Sequence, residues 1–250
     1  MQREIKFNSN SVTILVSLNA IIFLMGEHVL PNFHEYFALF FPENSNFVSY
    51  QFVSYLFLHG SFSHVLFNMF ALYSFGRILE SSWGTKRFLI FYFIAGVGAA
   101  VVYTLVNYYQ FFDIYDQLVK LGLSDIDIKK ILANGSVQKS ILDSISETQL
   151  MEFYSIYHTP AVGASGAIYG ILIAFAISYP EAKLALIFLP IPIKSKYFVP
   201  ILISADLFFG VTRYSIGNIA HFAHIGGAIF GLLMMLWWKQ KGTIRKSPLP

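Results

Sequence analysis

The chain has 250 residues, of which 56% are hydrophobic and only 12% are charged. Soluble domains carry about 25% charged residues, so this composition excludes an ordinary soluble protein and predicts a membrane protein. The net charge of +3 offers no strongly basic surface for a nucleic acid, and the absence of cysteine excludes disulfides and thiolate metal sites.

Six apolar segments are candidates for membrane-crossing helices, each of which needs about 20 mostly apolar residues. In chain order they are residues 7–26, 61–76, 88–112, 161–180, 197–212 and 214–238. The apolar run 184–193 is too short to cross and contains two prolines, so we interpret it as a connection at the membrane surface. We therefore predict an all-α polytopic fold, a bundle of six transmembrane helices forming a single domain over residues 1–250.

The basic residues predict the orientation of these segments, because cytoplasmic loops carry an excess of Lys and Arg. With the N-terminus in the cytoplasm, 12 of the 17 Lys and Arg residues fall on the cytoplasmic side. The first segment lacks a small-residue cleavage site, so we interpret it as an uncleaved anchor and not a signal peptide. We expect a multi-pass protein of a bacterial plasma membrane with both termini cytoplasmic, and the sequence leaves its oligomeric state open.

Two regions lie outside the six segments. Residues 27–60 form an aromatic first outer loop, which we expect to lie partly in the membrane interface. Residues 113–160 form the most charged stretch and carry apolar residues at helical spacing, so they predict a helical extramembrane insert between the third and fourth helices. The pair Asn134-Gly135 predicts a turn inside this insert.

Ser165 lies at the outer end of the fourth segment, between Gly163 and Gly166. A serine becomes a good nucleophile only when a base removes its proton, and glycines beside it allow a sharp turn and the close approach of another backbone. Taken alone, the same Gly-Ala-Ser-Gly run is also typical of a small-residue packing face between membrane helices.

His224 lies near the outer end of the sixth segment and is a candidate base for Ser165. Gly227 and Gly231 follow it on one helical face, and the fourth segment offers Gly166 and Gly170 at the same spacing. Close packing of these faces would bring Ser165 and His224 within hydrogen-bond reach. His221 is a competing candidate, but the glycine face is in register with His224.

Three further polar groups lie near the same end of the predicted bundle. His64 and Asn68 are four residues apart and share a helical face, where they could donate hydrogen bonds to an oxyanion or tie two helices together. Tyr169 follows Ser165 by one turn, so its ring could stack on His224. Asp206 is the only acid inside a predicted span, and we expect it to have no catalytic role.

These motifs together resemble those of the rhomboid family of intramembrane serine proteases. The family's G-x-S-G motif is Gly163 to Gly166, and its tyrosine one turn later is Tyr169. Its histidine motif, A-H-x-x-G-x-x-x-G, begins at Ala223, and its H-x-x-x-N pattern runs from His64 to Asn68. Two features depart from the family: the long insert, and Tyr50-Gln51 where many members carry Trp-Arg.

The resemblance implies an endopeptidase with a Ser-His dyad, Ser165 and His224, and no third acid. It implies that His64, Asn68 and the Ser165 backbone form an oxyanion hole. The expected partners are transmembrane protein substrates and the lipid bilayer, and no cofactor or metal is implied. Two alternatives stay open: a catalytically inactive rhomboid-like binder of membrane proteins, and a small transporter.

Overall fold

The computed structural model describes residues 10–28, 32–186, 189–212 and 220–242. The described part is mostly helical, with α1 (Ser11–His28), α2 (Phe33–Phe37), α3 (Gln51–Ser54), α4 (Phe62–Trp83), α5 (Thr85–Lys120), α6 (Asp125–Asn134), α7 (Lys139–Leu142), α8 (Glu147–His158), α9 (Ser165–Ser178), α10 (Ser195–Val211) and α11 (His221–Gln240). The predicted starts of the first and sixth segments lie outside the described residues, as do the terminal basic residues Arg3, Lys6, Arg245 and Lys246.

A small ribbon departs from the all-α prediction. Strands β1 (Lys183–Leu186) and β2 (Leu189–Lys194) pair antiparallel, with Lys183 opposite Lys194, between α9 and α10. The predicted connection 184–193 is this ribbon. Its prolines do not allow a helix, and its backbone groups instead pair across the two strands. The side chain of Glu181 bonds Lys194 at 2.7 Å and Lys196 at 2.5 Å beside the ribbon.

The buried carboxylate of Glu80 joins the end of α4 to the starts of α1 and α5. The start of α1 meets the end of α4, where the buried carboxylate of Glu80 accepts hydrogen bonds from the backbone N–H of Ser11 at 3.0 Å and of Val12 at 3.3 Å. Thr85, at the start of α5, donates to the same carboxylate at 3.1 Å. Glu80 therefore satisfies N–H groups that the first turn of a helix leaves without partners.

The packing of α9 against α11 brings two backbones together. A β-carbon at Gly231 would lie 2.6 Å from the Cα atom of Gly170, and one at Gly227 would overlap the carbonyl oxygen of Gly166. Any side chain at these positions would separate the helices, because β-carbons do not approach backbone atoms so closely. The glycine spacing of the two sequence motifs therefore fixes the distance between the helices that carry Ser165 and His224.

The insert is helical and forms a second hydrophobic core. α5 is 36 residues long, about 54 Å at 1.5 Å per residue, and runs past the predicted end of the third segment into the insert. Phe153 of α8 is fully buried and stacks on Phe111 of α5 with ring centroids 4.4 Å apart. The predicted turn closes α6, where Gly135 adopts the left-handed conformation with φ 65°. This core also includes Phe41 of the first loop, so the insert packs against that loop.

Gln51 anchors the first loop, where many members of the family that the sequence resembles carry an arginine. Its side chain is buried and donates to the carbonyl oxygens of Tyr36 at 3.1 Å and Asn46 at 2.8 Å. It also accepts a hydrogen bond from the backbone N–H of Phe40 at 3.3 Å. One amide side chain can both donate and accept, so Gln51 satisfies three backbone groups of the loop.

Length and composition alone identify two described helices as able to span a membrane, Thr85–Lys120 and His221–Gln240. The predicted count of six spans is not confirmed by this criterion. α9 has 14 residues, about 21 Å of helix, which is shorter than a hydrocarbon core of about 30 Å. α4 is long enough, but His64, Asn68 and Glu80 lower its apolar character.

Candidate active site

Ser165 is the first residue of α9 and is held by a tightly bonded approach segment. Ala161 pairs with Leu39 of the first loop in an isolated bridge, with both N–H···O distances at 2.9 Å. Gly163 then donates its N–H to the carbonyl oxygen of Tyr55 at 2.9 Å and adopts φ 122°. This conformation is open to glycine but strained for any other residue, and it turns the chain into α9.

His224 meets Ser165 directly. Its Nε2 atom lies 2.8 Å from the Ser165 Oγ, although the two residues are 59 positions apart. The Tyr169 ring stacks on the imidazole with centroids 4.3 Å apart and planes at 12°. A neutral imidazole whose Nε2 accepts the serine hydroxyl is the arrangement that general-base activation requires.

Asp206 extends the hydrogen-bonded pair of Ser165 and His224 to a series of three side chains, which the sequence analysis did not predict. Its Oδ1 atom lies 3.0 Å from His224 Nδ1, on the side of the ring opposite Ser165, and its Oδ2 accepts a hydrogen bond from the Tyr169 hydroxyl. The sequence analysis expected no catalytic role for Asp206 and did not predict that it contacts His224 and Tyr169. An acid on Nδ1 holds the imidazole in the tautomer that leaves Nε2 free to accept a proton.

The competing candidate, His221, occupies a different place in the site. Its Nδ1 atom lies 2.6 Å from Oδ1 of Asp206, the oxygen that His224 also contacts. Asp206, His221 and His224 thus place three potential metal-ligand atoms within 4.8 Å of one another. The separations of 2.6 and 3.0 Å are hydrogen-bond distances, so hydrogen bonding accounts for this cluster.

His64 and Asn68 converge on the backbone just before Ser165. A β-carbon at Gly163 would lie 2.7 Å from His64 Nε2 and 3.5 Å from Asn68 Nδ2. Within the described residues, Asn68 Nδ2 is buried and lacks a hydrogen-bond partner. The first N–H groups of α9 have no partner inside that helix. These donors can therefore surround a small anionic atom placed beside Gly163.

His59, in the first outer loop, packs against the site through His64. It is 1% exposed, and its ring meets that of His64 edge-on with centroids 4.9 Å apart. Burial lowers the pKa of His59 to about 3, with the neighbouring His64 adding to the effect, so its ring is neutral. Packing of this kind restricts the orientation of the His64 ring.

The profile of the Rhomboid domain matches residues 46–126 and 131–240 of the chain. The chain belongs to the rhomboid family. It is 25% identical to the mitochondrial presenilin-associated rhomboid-like protein of Rattus norvegicus over 244 residues, 94% of this chain and 52% of that protein. It is 28% identical to rhomboid protease AarA of Providencia stuartii over 189 residues, 72% of this chain and 52% of that one.

A third relative is the mitochondrial rhomboid protein 1 of Saccharomyces cerevisiae, 25% identical over 177 residues, which are 71% of this chain and 38% of that protein. The chain spans about half the length of the first relatives it matches. The family includes serine proteases such as AarA, and membrane association is a property of this family.

The prediction of a bacterial plasma membrane with both termini in the cytoplasm is contradicted by these relatives. The presenilin-associated rhomboid-like proteins of rat and mouse and the yeast protein are all mitochondrial. The error has a physical reason. An excess of Lys and Arg on one side orients helices relative to a bilayer, but it does not identify which membrane that bilayer is.

Proposed function

We propose that this rhomboid protein is an intramembrane serine endopeptidase that hydrolyses peptide bonds in or near transmembrane segments of other proteins. The observation that carries the proposal is the 2.8 Å contact of His224 Nε2 with Ser165 Oγ, backed by Asp206 on His224 Nδ1 at 3.0 Å. Ser165 as nucleophile, His224 as base and Asp206 as orienting acid are then hydrogen-bonded in the sequence that acyl transfer needs.

The acylation half of the reaction follows from these positions. Ser165 Oγ attacks the scissile carbonyl carbon while His224 Nε2 takes its proton, and Asp206 stabilises the imidazolium that forms. The carbonyl oxygen becomes an oxyanion beside Gly163, where the His64 ring and the Asn68 amide can donate hydrogen bonds to it. Such preorganised donors are often the largest single contribution to catalysis.

Acylation ends when the tetrahedral intermediate collapses: the protonated His224 gives its proton to the leaving amine, the C–N bond breaks, and the acyl-serine remains. The second half returns the enzyme to its starting state. Water then takes the place of the amine, gives a proton to His224 and attacks the ester carbonyl. The resulting tetrahedral intermediate collapses, Ser165 recovers its proton, and the new carboxyl terminus leaves.

A membrane-spanning substrate must unwind before this chemistry can begin. The carbonyl groups of a helix are bonded to N–H groups four residues later, so Ser165 cannot reach them while the helix is intact. We therefore expect single-span proteins to be substrates, with a small residue at the cut and helix-breaking residues nearby. This expectation separates the proposal from a protease that acts on folded soluble proteins.

We propose that α1, α4, α5, α9, α10 and α11 cross a mitochondrial membrane as the six spans. Their alternation supports this arrangement: α4, α9 and α11 begin near the site, whereas α1, α5 and α10 begin at the opposite end of the bundle. Asp206 lies near the end of α10, as this alternation requires. The mitochondrial relatives support the choice of membrane.

We propose that residues 113–160 act as an extramembrane insert that influences which substrates are cut. The side chain of Asn44 donates to the carbonyl oxygen of Tyr157 at 2.7 Å, and the chain passes from α8 through Ala161 to Ser165. Deleting residues 115–155 should therefore change relative cleavage across a substrate panel. The exposed side chains of Ile126 and Met151 allow a milder test by substitution with serine, and unchanged preferences would contradict the insert's role.

Fluorophosphonate labelling tests the activated serine without any choice of substrate. We expect the purified protein to be labelled on Ser165, and the variants Ser165→Ala and His224→Ala to lose the label. A catalytically inactive binder of membrane proteins would keep its fold and take up no label. Absence of labelling in a folded protein would therefore favour that alternative.

A further inference from the structure

His221 occupies a buried place in the site that the proposed chemistry does not use. It is the first residue of α11 and is 7% exposed. Its Nδ1 atom lies 2.6 Å from Oδ1 of Asp206, closer than the 3.0 Å of His224 Nδ1 to the same oxygen. Two imidazoles therefore share one carboxylate oxygen.

The carboxylate of Asp206 is held from both sides. Two histidines of α11 contact Oδ1, and the hydroxyl of Tyr169, on α9, donates to Oδ2. A buried carboxylate is costly unless hydrogen bonds surround it, and each donor also restricts its rotation. Without His221, Oδ1 of Asp206 would keep only His224 as a donor, and the carboxylate could rotate about its remaining contact with Tyr169 and turn Oδ1 away from the imidazole that it has to orient.

The ring of His221 is itself fixed by α10. It stacks on Phe209 with centroids 6.0 Å apart and planes at 29°. A β-carbon at Gly210 would lie 3.2 Å from the His221 Cβ, so α10 and α11 are closely packed at this point. Because packing fixes its rotamer, the His221 ring can hold the Asp206 carboxylate in one orientation, as a precisely oriented catalytic group requires.

We propose that His221 is a positioning residue, which holds the Asp206 carboxylate in the one orientation that accepts the Nδ1–H of His224. His221 acts through Asp206 and not on the substrate. With the proton of His224 kept on Nδ1, its Nε2 lone pair is directed at the Ser165 hydroxyl. This inference rests on the proposed serine-protease function.

A double-mutant cycle separates this role from a purely structural one. The cycle compares the wild type, His221→Phe, Asp206→Ala and the double variant, with the rate of Ser165 acylation by a fluorophosphonate as the readout. We expect His221→Phe to slow acylation about tenfold relative to the wild type. We expect the double variant to be acylated almost as fast as Asp206→Ala alone. The phenyl ring keeps the packing on Phe209, and the amide of His221→Gln should restore part of the rate.

Substrate kinetics give a second readout. Because His221 does not act on the substrate, His221→Phe should lower kcat and leave KM unchanged. Equal losses with and without Asp206 would overturn the inference, as would no loss at all in the wild-type background. An active wild type with either of these results would leave the proposed function in place and reject only the role of His221.

Nitrogen-15 NMR of histidine-labelled protein tests the same point without relying on activity. We expect His224 of the wild type to show a single tautomer protonated on Nδ1, and His221→Phe to show a mixture. An unchanged His224 signal in folded His221→Phe would overturn the inference. A wild type that shows the single tautomer but takes up no fluorophosphonate would count against the proposed function and support the positioning of His224.

Discussion

Gly231 of α11 lies against Gly170 of α9 so closely that a β-carbon on Gly231 would be 2.6 Å from the Gly170 Cα atom. The other nearest atoms, the carbonyl oxygen and carbon of Gly170 at 2.9 and 3.1 Å, also belong to the backbone, so no side chain can rotate out of the way. We expect Gly231→Ala to force the helices apart and to destabilise the protein by about 1–3 kcal/mol. Thermal unfolding in detergent measures this change.

Gly26→Ala is the matched control for that substitution. Gly26 also lies in a helix, but the atom nearest to a methyl group added there would be Phe33 Cδ1 at 3.4 Å, an ordinary contact. Alanine favours a helix more than glycine does, so this variant should be as stable as the wild type or slightly more stable. Equal midpoints for Gly231→Ala and Gly26→Ala would show that the close packing of α9 on α11 does not limit stability.

Gly163→Ala should lower activity for a different reason. Its methyl group would stand 2.7 Å from His64 Nε2, in the space proposed for the oxyanion, and its φ of 122° is strained for alanine. We expect kcat to fall at least about a hundredfold, as loss of oxyanion stabilisation does elsewhere. Initial rates on a single-span substrate measure this effect.

Gly60→Ala serves as the control for Gly163→Ala in the same part of the fold. The nearest atom to its methyl group would be a Val162 carbon at 3.9 Å, so there is room for it. We expect wild-type kcat for Gly60→Ala. Wild-type kcat for Gly163→Ala as well would show that the oxyanion does not lie beside Gly163.

Asp206→Asn tests the carboxylate that contacts His224 Nδ1. An asparagine can donate to Nδ1 of His224 and so favour the tautomer with its proton on Nε2, which cannot accept the proton of Ser165. We expect kcat to fall by about a hundredfold or more, with KM little changed. A kcat within about twofold of the wild type would mean that Ser165 and His224 act as a dyad without help from Asp206.

Glu80→Ala should weaken the attachment of α1 and leave the chemistry intact. The substitution removes the acceptor of the N–H groups of Ser11 and Val12, and hydrogen bonds to a buried charged group contribute about 1.5–3 kcal/mol each. Glu80 lies 16 residues after His64 on α4, about 24 Å along the helix. We therefore expect a lower unfolding temperature and unchanged kcat below it.

Ser81→Ala is the neighbouring control for Glu80→Ala. The exposed hydroxyl of Ser81 bonds only the carbonyl oxygen of Ile78 on its own helix among the contacts described, so its loss should change stability little. If Glu80→Ala and Ser81→Ala unfold at the same temperature, the Glu80 carboxylate does not anchor α1.

Much of the site follows from short-range patterns in the sequence. Gly227 and Gly231 share a helical face with His224, and this spacing predicts the close approach that brings His224 to Ser165. The i, i+4 spacing of His64 and Asn68 likewise places both side chains on one face of α4. Patterns of this kind are encoded within one helix, which is why they can be recognised before the fold is known.

The contact of Asp206 with His224 could not be predicted in this way. It lies 18 residues before His224 on another helix, and the contact depends on how α10 packs against α9 and α11. Its one signal was that it is the only acid inside a predicted span, where a charged group is expensive and calls for a partner. The pairing of β1 with β2 was missed because a short apolar run with two prolines has no helical or strand periodicity of its own.

The most direct test of the account is cleavage of a single-span substrate by the purified protein and its variants. The substrate should carry a small residue at the cut and helix-breaking residues beside it, and Ser178→Ala, at the other end of α9, is the matched control. We predict cleavage by the wild type and Ser178→Ala, and a loss of at least about a thousandfold in Ser165→Ala and His224→Ala. Undiminished cleavage by a folded Ser165→Ala would contradict the central claim, because the nucleophile would then lie elsewhere.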